Sequence, residues 1–269
     1  MLTAFNHDQE KQLARPFIHS AEFEFQVAIE KHPEQVFAKR TTDVNAVLQT
    51  HDAFKDFKDP KFDAQEVWQG LKFKAEQPHI YTIPIVAAAV IESSRRKTSY
   101  GEVFDRVSLQ PSWTTNALVL VKEETHIDEK QKKVTFLGRP LDIEEAKQLL
   151  IPELISEMFD KKSEKALKIL PHSMNETEAL DYLSKHFEAL FTKERPASFH
   201  VQHGITGYED KPQETWVLVR LTEAPITFEE QQANLQLKEK IASSISWKLY
   251  LETLNTFERA SSKPFLRNL

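Results

Sequence analysis

The stretch that most constrains the fold is residues 216–257, where a short β-like run leads into a long amphipathic helix. The run WVLVRL is followed by the linker EAP and by FEEQQ, with Thr227 and Glu230 spaced as a capping box. A helix of about 30 residues spans roughly 45 Å. One broad face must therefore be covered by the rest of the chain or partly offered to a partner. Its apolar residues are Leu237, Ile241, Ile245, Trp247, Leu249, Leu251 and Leu254.

Composition excludes several classes of function. The chain of 269 residues can form one large domain or two small ones, and it has no cysteine, which rules out disulfides, thiolate chemistry and cysteine zinc sites. Only five glycines are present, which disfavours glycine-rich phosphate loops. A net charge of −6 argues against a dominant nucleic-acid or anionic membrane surface.

The chain has no sequence feature of a membrane protein. No window approaches 18 apolar residues, and the N-terminus MLTAFNHDQEKQLARPF lacks the apolar core of a signal peptide. We expect a soluble protein, cytoplasmic as written and extracytoplasmic if a signal has been removed.

Residues 1–78 are predicted to form an N-terminal helical region. A helical spacing begins at Thr42, and Asp63 with Glu66 forms a capping box before Val67, Trp68 and Leu71. Residues 21–29 alternate apolar and polar side chains over a short run that is flanked by helix formers, so this segment could be a strand or a helix.

Residues 79–139 are predicted to combine helices with a β-hairpin. A buried helix is expected after Pro84, and Ser99 with Glu102 would cap a second helix through Val107. The runs NALVLVKEETHID and KKVTFLG are expected to pair as strands across the turn DEKQ. This order is typical of a winged helix.

Charge weakens a DNA-binding interpretation of that segment. Residues 84–139 contain nine Lys and Arg residues against seven Asp and Glu residues, and WTTNALVLV is too apolar to read base edges. We therefore do not expect a nucleic-acid partner. If DNA does bind, the neutralisation of Arg95, Arg96, Lys132 and Lys133 would weaken binding.

Residues 140–269 are predicted to be a third region, of mixed α and β structure with the long C-terminal helix. A helix capped by Asp142 and Glu145 is interrupted at Pro152, a second is capped by Ser173 and Glu176, and FHVQHGITGYEDKPQE is extended. The predicted fold class is thus α+β, mostly helical, with a small antiparallel β component at 116–138 and 199–221.

Candidate chemical groups have simpler explanations. His200 and His203 are three residues apart, and in an extended chain their rings point to opposite sides. His126, Asp128 and Glu129 lie in a predicted turn, where carboxylates are solvated. In PLDIEEAK (140–147), which mimics part of a nuclease metal site, Asp142 and Glu145 are explained by capping. The sequence predicts no catalytic, cofactor or metal residue, and binding residues are left unknown.

Three stretches together resemble the foldase and chaperone family that includes SurA, PpiD and PrsA. HDAFKDFKDPKFDAQEVWQGL (51–71) is similar to the N-terminal helices of that family, KALKILPHSMNETEALDYL (165–183) to the opening strand and helix of a parvulin domain, and WVLVRLTEAPITFEEQQ (216–232) to its last strand and following helix. The positions where parvulins carry histidines hold residues such as Lys168 and Val217. The resemblance therefore implies binding without prolyl isomerase activity.

The expected function is chaperone-like binding of unfolded or partner polypeptides, with no cofactor. The alternative is a winged-helix DNA-binding or regulatory protein. A third possibility is an enzyme whose site is assembled from distant residues. We expect no enzyme activity, and the resemblance implies that any activity would be that of a degenerate prolyl isomerase. The client and the oligomeric state are left open.

Overall fold

A computed structural model describes most of the chain. The described residues are 20–55, 59–81, 85–111, 117–139, 141–160, 170, 174–190, 198–221, 227, 228, 231, 232, 235, 236 and 239.

Seven strands form one antiparallel sheet. They are β1 (Val36–Asp43), β2 (Ala87–Lys97), β3 (Gly101–Pro111), β4 (Leu118–Asp128), β5 (Lys133–Arg139), β6 (Ser198–Tyr208) and β7 (Lys211–Leu221). Strands β2 to β7 follow one another across the sheet, and β1 pairs with β7, so that β1 and β2 lie at opposite ends of the strand order. The sheet thereby contains strands from all three regions that the sequence suggested.

Along the chain, helices precede β1 and connect several of the strands. The α-helices are α1 (Ser20–Lys31), α2 (Val44–Thr50), α3 (Ala64–Glu76), α4 (Pro78–Tyr81), α5 (Ile143–Gln148), α6 (Pro152–Asp160), α7 (Glu176–Lys185) and α8 (Phe187–Leu190), with 3-10 turns at Pro33–Gln35 and Asp52–Phe54.

Helix α3 covers one face of the sheet, which we call the front face. Its buried residues Val67, Trp68 and Leu71 recur at helical spacing and pack against strand residues such as Phe104 and Phe136. A capping box between Asp63 and Glu66 fixes where the helix begins. The front-face core therefore joins α2 and α3 to strands β3 to β6.

The opposite face, which we call the back face, is covered at two places. Helix α1 packs Phe25 and Ala28 against Val219 of β7. Helices α6 and α7 bring Leu154, Ile155, Met158 and Leu183 onto strands β2 to β4. Because protein covers both faces, β2 begins as a continuous apolar run rather than an alternating one.

Strand β2 contains a large bulge. Ile91 pairs with Asp105 and Arg96 pairs with Val103, so residues 92–95 stand opposite a single residue of β3. The Ser94 hydroxyl donates to the Ile91 carbonyl at 2.6 Å and accepts from the Asp105 N–H at 2.7 Å. The side chain of Ser94 thus holds the bulge in place of a regular ladder.

The prediction of a mostly helical fold is wrong. Strand β1 lies in the region expected to be helical, and β2 and β3 replace the two helices expected between Pro84 and Val107. Ser99 and Glu102 precede and enter a strand rather than capping a helix. Without those helices the winged-helix order is also wrong, and the DNA-binding alternative loses the element on which it depended.

Other local predictions are confirmed. The strands at 116–138 and 199–221 correspond to β4 to β7, and Asp142 with Glu145 caps α5, which ends before Pro152 begins α6. The predicted capping box of Ser173 and Glu176 is wrong, because the helix α7 is capped by Asn175 with Glu178, two residues further along the chain. The ambiguous segment at 21–29 is helix α1.

The predicted C-terminal helix lies largely outside the described residues. Within it, six residues are described, and all six are helical: 228, 231, 232, 235, 236 and 239. The Gln231 N–H donates to the Thr227 carbonyl at 2.9 Å, as expected for a helix that begins after Thr227.

Candidate functional site

A lysine, a histidine and a glutamate meet on the front face beneath the last turn of α3. The Lys74 ammonium donates to Nε2 of His203 at 3.2 Å, and Nδ1 of His203 lies 2.9 Å from Oε1 of Glu214. His203 is on β6 and Glu214 is on β7, where Glu214 pairs with Ile205, so the two residues are diagonal neighbours on one face of the sheet. We call these three residues the lysine triad.

The hydrogen bonds assign the tautomer of His203. An ionised carboxylate can only accept, so the proton of the imidazole lies on Nδ1 and points to Glu214. Nε2 then carries the lone pair that accepts from Lys74. The triad is therefore a directed chain of hydrogen bonds from an ammonium through a neutral imidazole to a carboxylate.

Burial shifts both nitrogen bases of the triad towards their neutral forms. Burial, followed by the nearby positive charge of Lys74, lowers the pKa of His203 to about 4. Burial likewise lowers the pKa of Lys74, against the opposing influence of the Glu214 carboxylate. At neutral pH, His203 is an uncharged acceptor, and Lys74 loses its proton more readily than an exposed lysine.

A buried ion pair beside the triad fixes the end of α3. Nε of Arg106 on β3 donates to Oε2 of Glu123 on β4 at 2.7 Å, and the two residues are direct cross-strand partners. The guanidinium also donates through Nη1 to the carbonyls of Lys74 at 3.2 Å and Ala75 at 2.7 Å. These carbonyls belong to the last turn, so Arg106 satisfies helix acceptors and places Lys74 over the sheet.

Aromatic rings enclose the polar groups. The indole of Trp216 stacks on the His203 ring at 5.9 Å with an interplanar angle of 9°. The Phe136 ring meets His203 edge-on at 6.1 Å and lies 4.0 Å from the Arg106 guanidinium carbon. The rings of Trp216 and Phe136 contribute to the burial of His203, and burial is the largest cause of its lowered pKa.

His200 and His203 point to opposite faces, as the extended chain predicts. His203 joins the lysine triad on the front face, whereas Nε2 of His200 lies 3.4 Å from Oε1 of Glu24 of α1 on the back face. They cannot bind one ion together. Among the described residues, no group of three or more His, Cys, Asp or Glu side chains could hold a metal.

The residues near the β4–β5 turn have separate structural partners. His126 is buried between the Tyr100 hydroxyl at 3.1 Å and Glu124 Oε1 at 2.6 Å. Asp128 is also buried and accepts from the N–H groups of the turn, so the prediction of a solvated carboxylate is wrong there. Glu129 accepts from the Trp68 indole at 2.7 Å and so ties the turn to α3.

The remaining sequence candidates also have structural roles. Asp142 and Glu145 cap α5, and Lys147 pairs with Glu144 of the same helix. The basic residues considered for DNA binding are dispersed: Arg95 pairs with Glu76, Glu92 and Glu102, Arg96 with Glu124, and Lys133 with Glu22, while Lys132 has a positive φ of 49°.

Sequence reasoning missed Lys74, Arg106, Glu123 and Glu214. A signal was present for Lys74, because it is three residues after Leu71 and seven after Val67, at the margin of the buried stripe of α3. A charged residue there conflicts with the helix pattern, and such conflicts mark strained or functional positions. The partners on β3, β4, β6 and β7 follow only from the sheet register.

The fold and the site define an antiparallel α+β protein with a lysine triad beneath a front-face helix. No protein-family model matches the chain, and no curated protein matches it. Two crystal structures of ginseng major latex-like protein 151 from Panax ginseng are similar, with TM-scores of 0.30 and 0.29 and 12% sequence identity. Each alignment covers 79% of this chain and 95% or 96% of the ginseng protein. Similarity at this level assigns no function.

The resemblance to the foldase and chaperone family is wrong. No match to that family is found. The run WVLVRL lies within β7 between β1 and β6, in a sheet that extends through all three regions. Within residues 165–183, the part from Glu176 onward is helical. The start of this stretch, where the opening strand is expected, lies outside the described residues.

The described part of the chain also bears on the membrane prediction. No helix within it is both long enough and apolar enough to cross a bilayer.

Proposed function

We propose that the protein binds a small organic molecule through Lys74, on the front face of the sheet. One observation carries the proposal: among the described residues, the Lys74 ammonium has a single hydrogen-bond partner, Nε2 of His203. An ammonium has three N–H donors, and the bond to His203 uses one of them. A ligand acceptor would satisfy the two that remain.

The charges favour an uncharged acceptor group on that ligand. Lys74 and Arg106 supply two positive charges, and Glu123 and Glu214 supply two negative charges within the same cluster. His203 is neutral at pH 7. Because the cluster is already balanced, a carboxylate or phosphate would add an uncompensated charge, whereas a carbonyl oxygen would not.

The surroundings favour a flat, apolar body for the ligand. Trp216 and Phe136 present aromatic rings beside His203. Trp216 and Lys74 are only partly buried, so this side of the cluster is within reach of solvent. Apolar walls with a few placed polar groups are typical of small-molecule sites.

Binding can be tested with acetophenone, an aromatic ketone, and ethylbenzene, which has the same ring without the carbonyl oxygen. Trp fluorescence and the 15N signals of labelled lysine side chains are followed during titration. We expect saturable binding of acetophenone with a shift of the Lys74 signal, and about tenfold weaker binding of ethylbenzene, the loss expected from one hydrogen bond to a charged donor. Lys74→Met should remove the preference. Equal binding of both compounds, or of neither, would overturn the proposal.

Binding of unfolded or partner polypeptides remains a second proposal, supported by a different observation. Phe228 and Leu235 are 68% and 54% exposed and lie seven residues apart, which is two helical turns. They form an apolar ridge that a polypeptide could cover. The double variant Phe228→Ser, Leu235→Ser should lose suppression of aggregation of thermally unfolded citrate synthase, as measured by light scattering. If the natural protein shows no suppression, this proposal fails.

A further inference from the structure

Geometry points to a covalent role for the lysine triad, and this inference rests on the proposed function. We propose that Lys74 is a nucleophilic amine that forms a Schiff base with an aldehyde, and that His203 is the group that exchanges its proton. The inference narrows the ligand class from carbonyl compounds in general to those with a reactive carbonyl carbon.

The first step requires a free amine, and the triad provides a path for the proton. Nε2 of His203 already accepts the hydrogen bond from the Lys74 ammonium at 3.2 Å, so the proton crosses along an existing contact. The resulting imidazolium keeps its other N–H on Glu214 at 2.9 Å, where a carboxylate stabilises its charge.

The low pKa of His203 applies while Lys74 carries its positive charge, so it understates how well His203 can accept the Lys74 proton. A positive Lys74 is one of the causes that lower the pKa of His203. Once Lys74 gives up its proton, that repulsion is gone, and His203 holds the proton more firmly. Arg106 is the other cation that faces this group, and its charge is paired with Glu123.

The chemistry balances without an external oxidant or reductant. The lone pair of the Lys74 amine attacks the aldehyde carbon, the carbonyl π electrons move to oxygen, and one proton of the newly bonded nitrogen passes to that oxygen. The carbinolamine then loses its hydroxyl group as water with the proton returned from His203, and the nitrogen lone pair forms the C=N bond. One protonated lysine and one aldehyde give one protonated imine and one water.

Placement distinguishes Lys74 from the neighbouring lysine of the same helix. Lys72 lies two residues away, donates to Glu129 Oε1 at 2.9 Å and approaches the ring of Trp68 from 5.7 Å. Its ion-pair partner is the carboxylate of Glu129 rather than an imidazole that could take its proton. Lys72 is therefore a matched internal control on α3.

The test uses benzaldehyde with sodium cyanoborohydride on the full chain at neutral pH, followed by intact-mass and peptide mass spectrometry. We expect one benzyl group, located at Lys74, to be added at least about tenfold faster than at Lys72 or at the exposed Lys185, because the imidazole of His203 accepts the Lys74 proton. Lys74→Arg should lose the fast addition, and Lys72→Arg should keep it. His203→Gln should slow it, because a glutamine amide cannot take the proton.

A competition experiment covers the possibility that a variant folds poorly. Acetophenone should slow benzyl addition at Lys74 of the natural protein and leave Lys185 unaffected. If acetophenone binds but Lys74 reacts no faster than Lys72, the covalent inference is overturned and the binding function stands. If acetophenone does not bind and Lys74 is unreactive, both are overturned.

Discussion

His203 on β6 and Glu214 on β7 lie diagonally across the strand pair, and their 2.9 Å contact sets which ring nitrogen of His203 carries the proton. The neutral imidazole that results is buried beside a cationic lysine, and burial with that charge lowers its pKa to about 4. Because the fold accommodates the neutral imidazole of His203 better than the charged one, the free energy of unfolding depends on pH.

The first prediction concerns that pH dependence. The unfolded chain binds a proton at His203 near the ordinary pKa of 6.5, and the folded chain near 4. The stabilisation is therefore complete above pH 6.5 and is lost as pH falls towards 4, by about 3 kcal/mol for one group. His203→Gln should keep both hydrogen bonds and make the free energy of unfolding less dependent on pH between 4 and 6.5. Chemical denaturation at a series of pH values measures this free energy.

His186→Gln provides the matched control for that series, because His186 is exposed at the end of α7. It should leave the pH dependence unchanged. An unaltered slope in His203→Gln would contradict the assignment of a buried neutral imidazole.

The second prediction concerns Arg106. Its replacement by alanine would leave Glu123 buried without its cation and two carbonyls of α3 without a donor. We expect a loss of about 3–5 kcal/mol in the free energy of unfolding. The double variant Arg106→Met, Glu123→Met should lose less than the single one. Lys185→Ala, which breaks an exposed pair with Asp181, should cost under about 1 kcal/mol.

The third prediction tests the packing of α6 on the back face. Leu154 is fully buried among residues of β2, β3, α6 and α7. Leu154→Ala should lower the free energy of unfolding by about 2–5 kcal/mol through lost burial and the cavity left behind. Tyr208→Ser, at a side chain that is 78% exposed, should change it by under about 0.5 kcal/mol. Similar values for the two would show that α6 does not pack as described.

The fourth prediction compares two strand glycines. A Cβ at Gly138 of β5 would lie 2.3 Å from the Phe199 carbonyl oxygen, so the backbones of β5 and β6 would have to separate. At Gly204 the nearest atoms are side-chain atoms at 3.3 and 3.4 Å, which can move. Thermal melts should show a large drop in Tm for Gly138→Ala and a small change for Gly204→Ala. Equal drops would be inconsistent with this register.

The sequence predicted part of the fold because some signals are local. Capping at Asp63 and Asp142 and the β-branched and apolar residues of β4 and β5 are signals that depend on neighbouring residues alone. Strand β2, by contrast, begins with three alanines, which favour a helix by propensity. They are extended because β3 pairs with them and protein covers both faces, which is tertiary information.

The site was still less predictable. His203 was noticed only for its distance from His200, and nothing local to Glu214 or Arg106 marks either residue. Their contacts cross sequence separations of 129 residues between Lys74 and His203 and 17 between Arg106 and Glu123. Lys74 alone carried a local clue, as a charged residue at the edge of an apolar stripe.

The bulge in β2 has a consequence for how copies of this protein behave towards one another. An incoming strand that added to the outer edge of β2 would meet no regular run of backbone longer than residues 87–91, since residues 92–95 leave the ladder before it resumes at residues 96 and 97. So short a run supports little edge-to-edge pairing. Ser94, by holding those four residues out of line, makes the β2 edge a poor template for fibril growth.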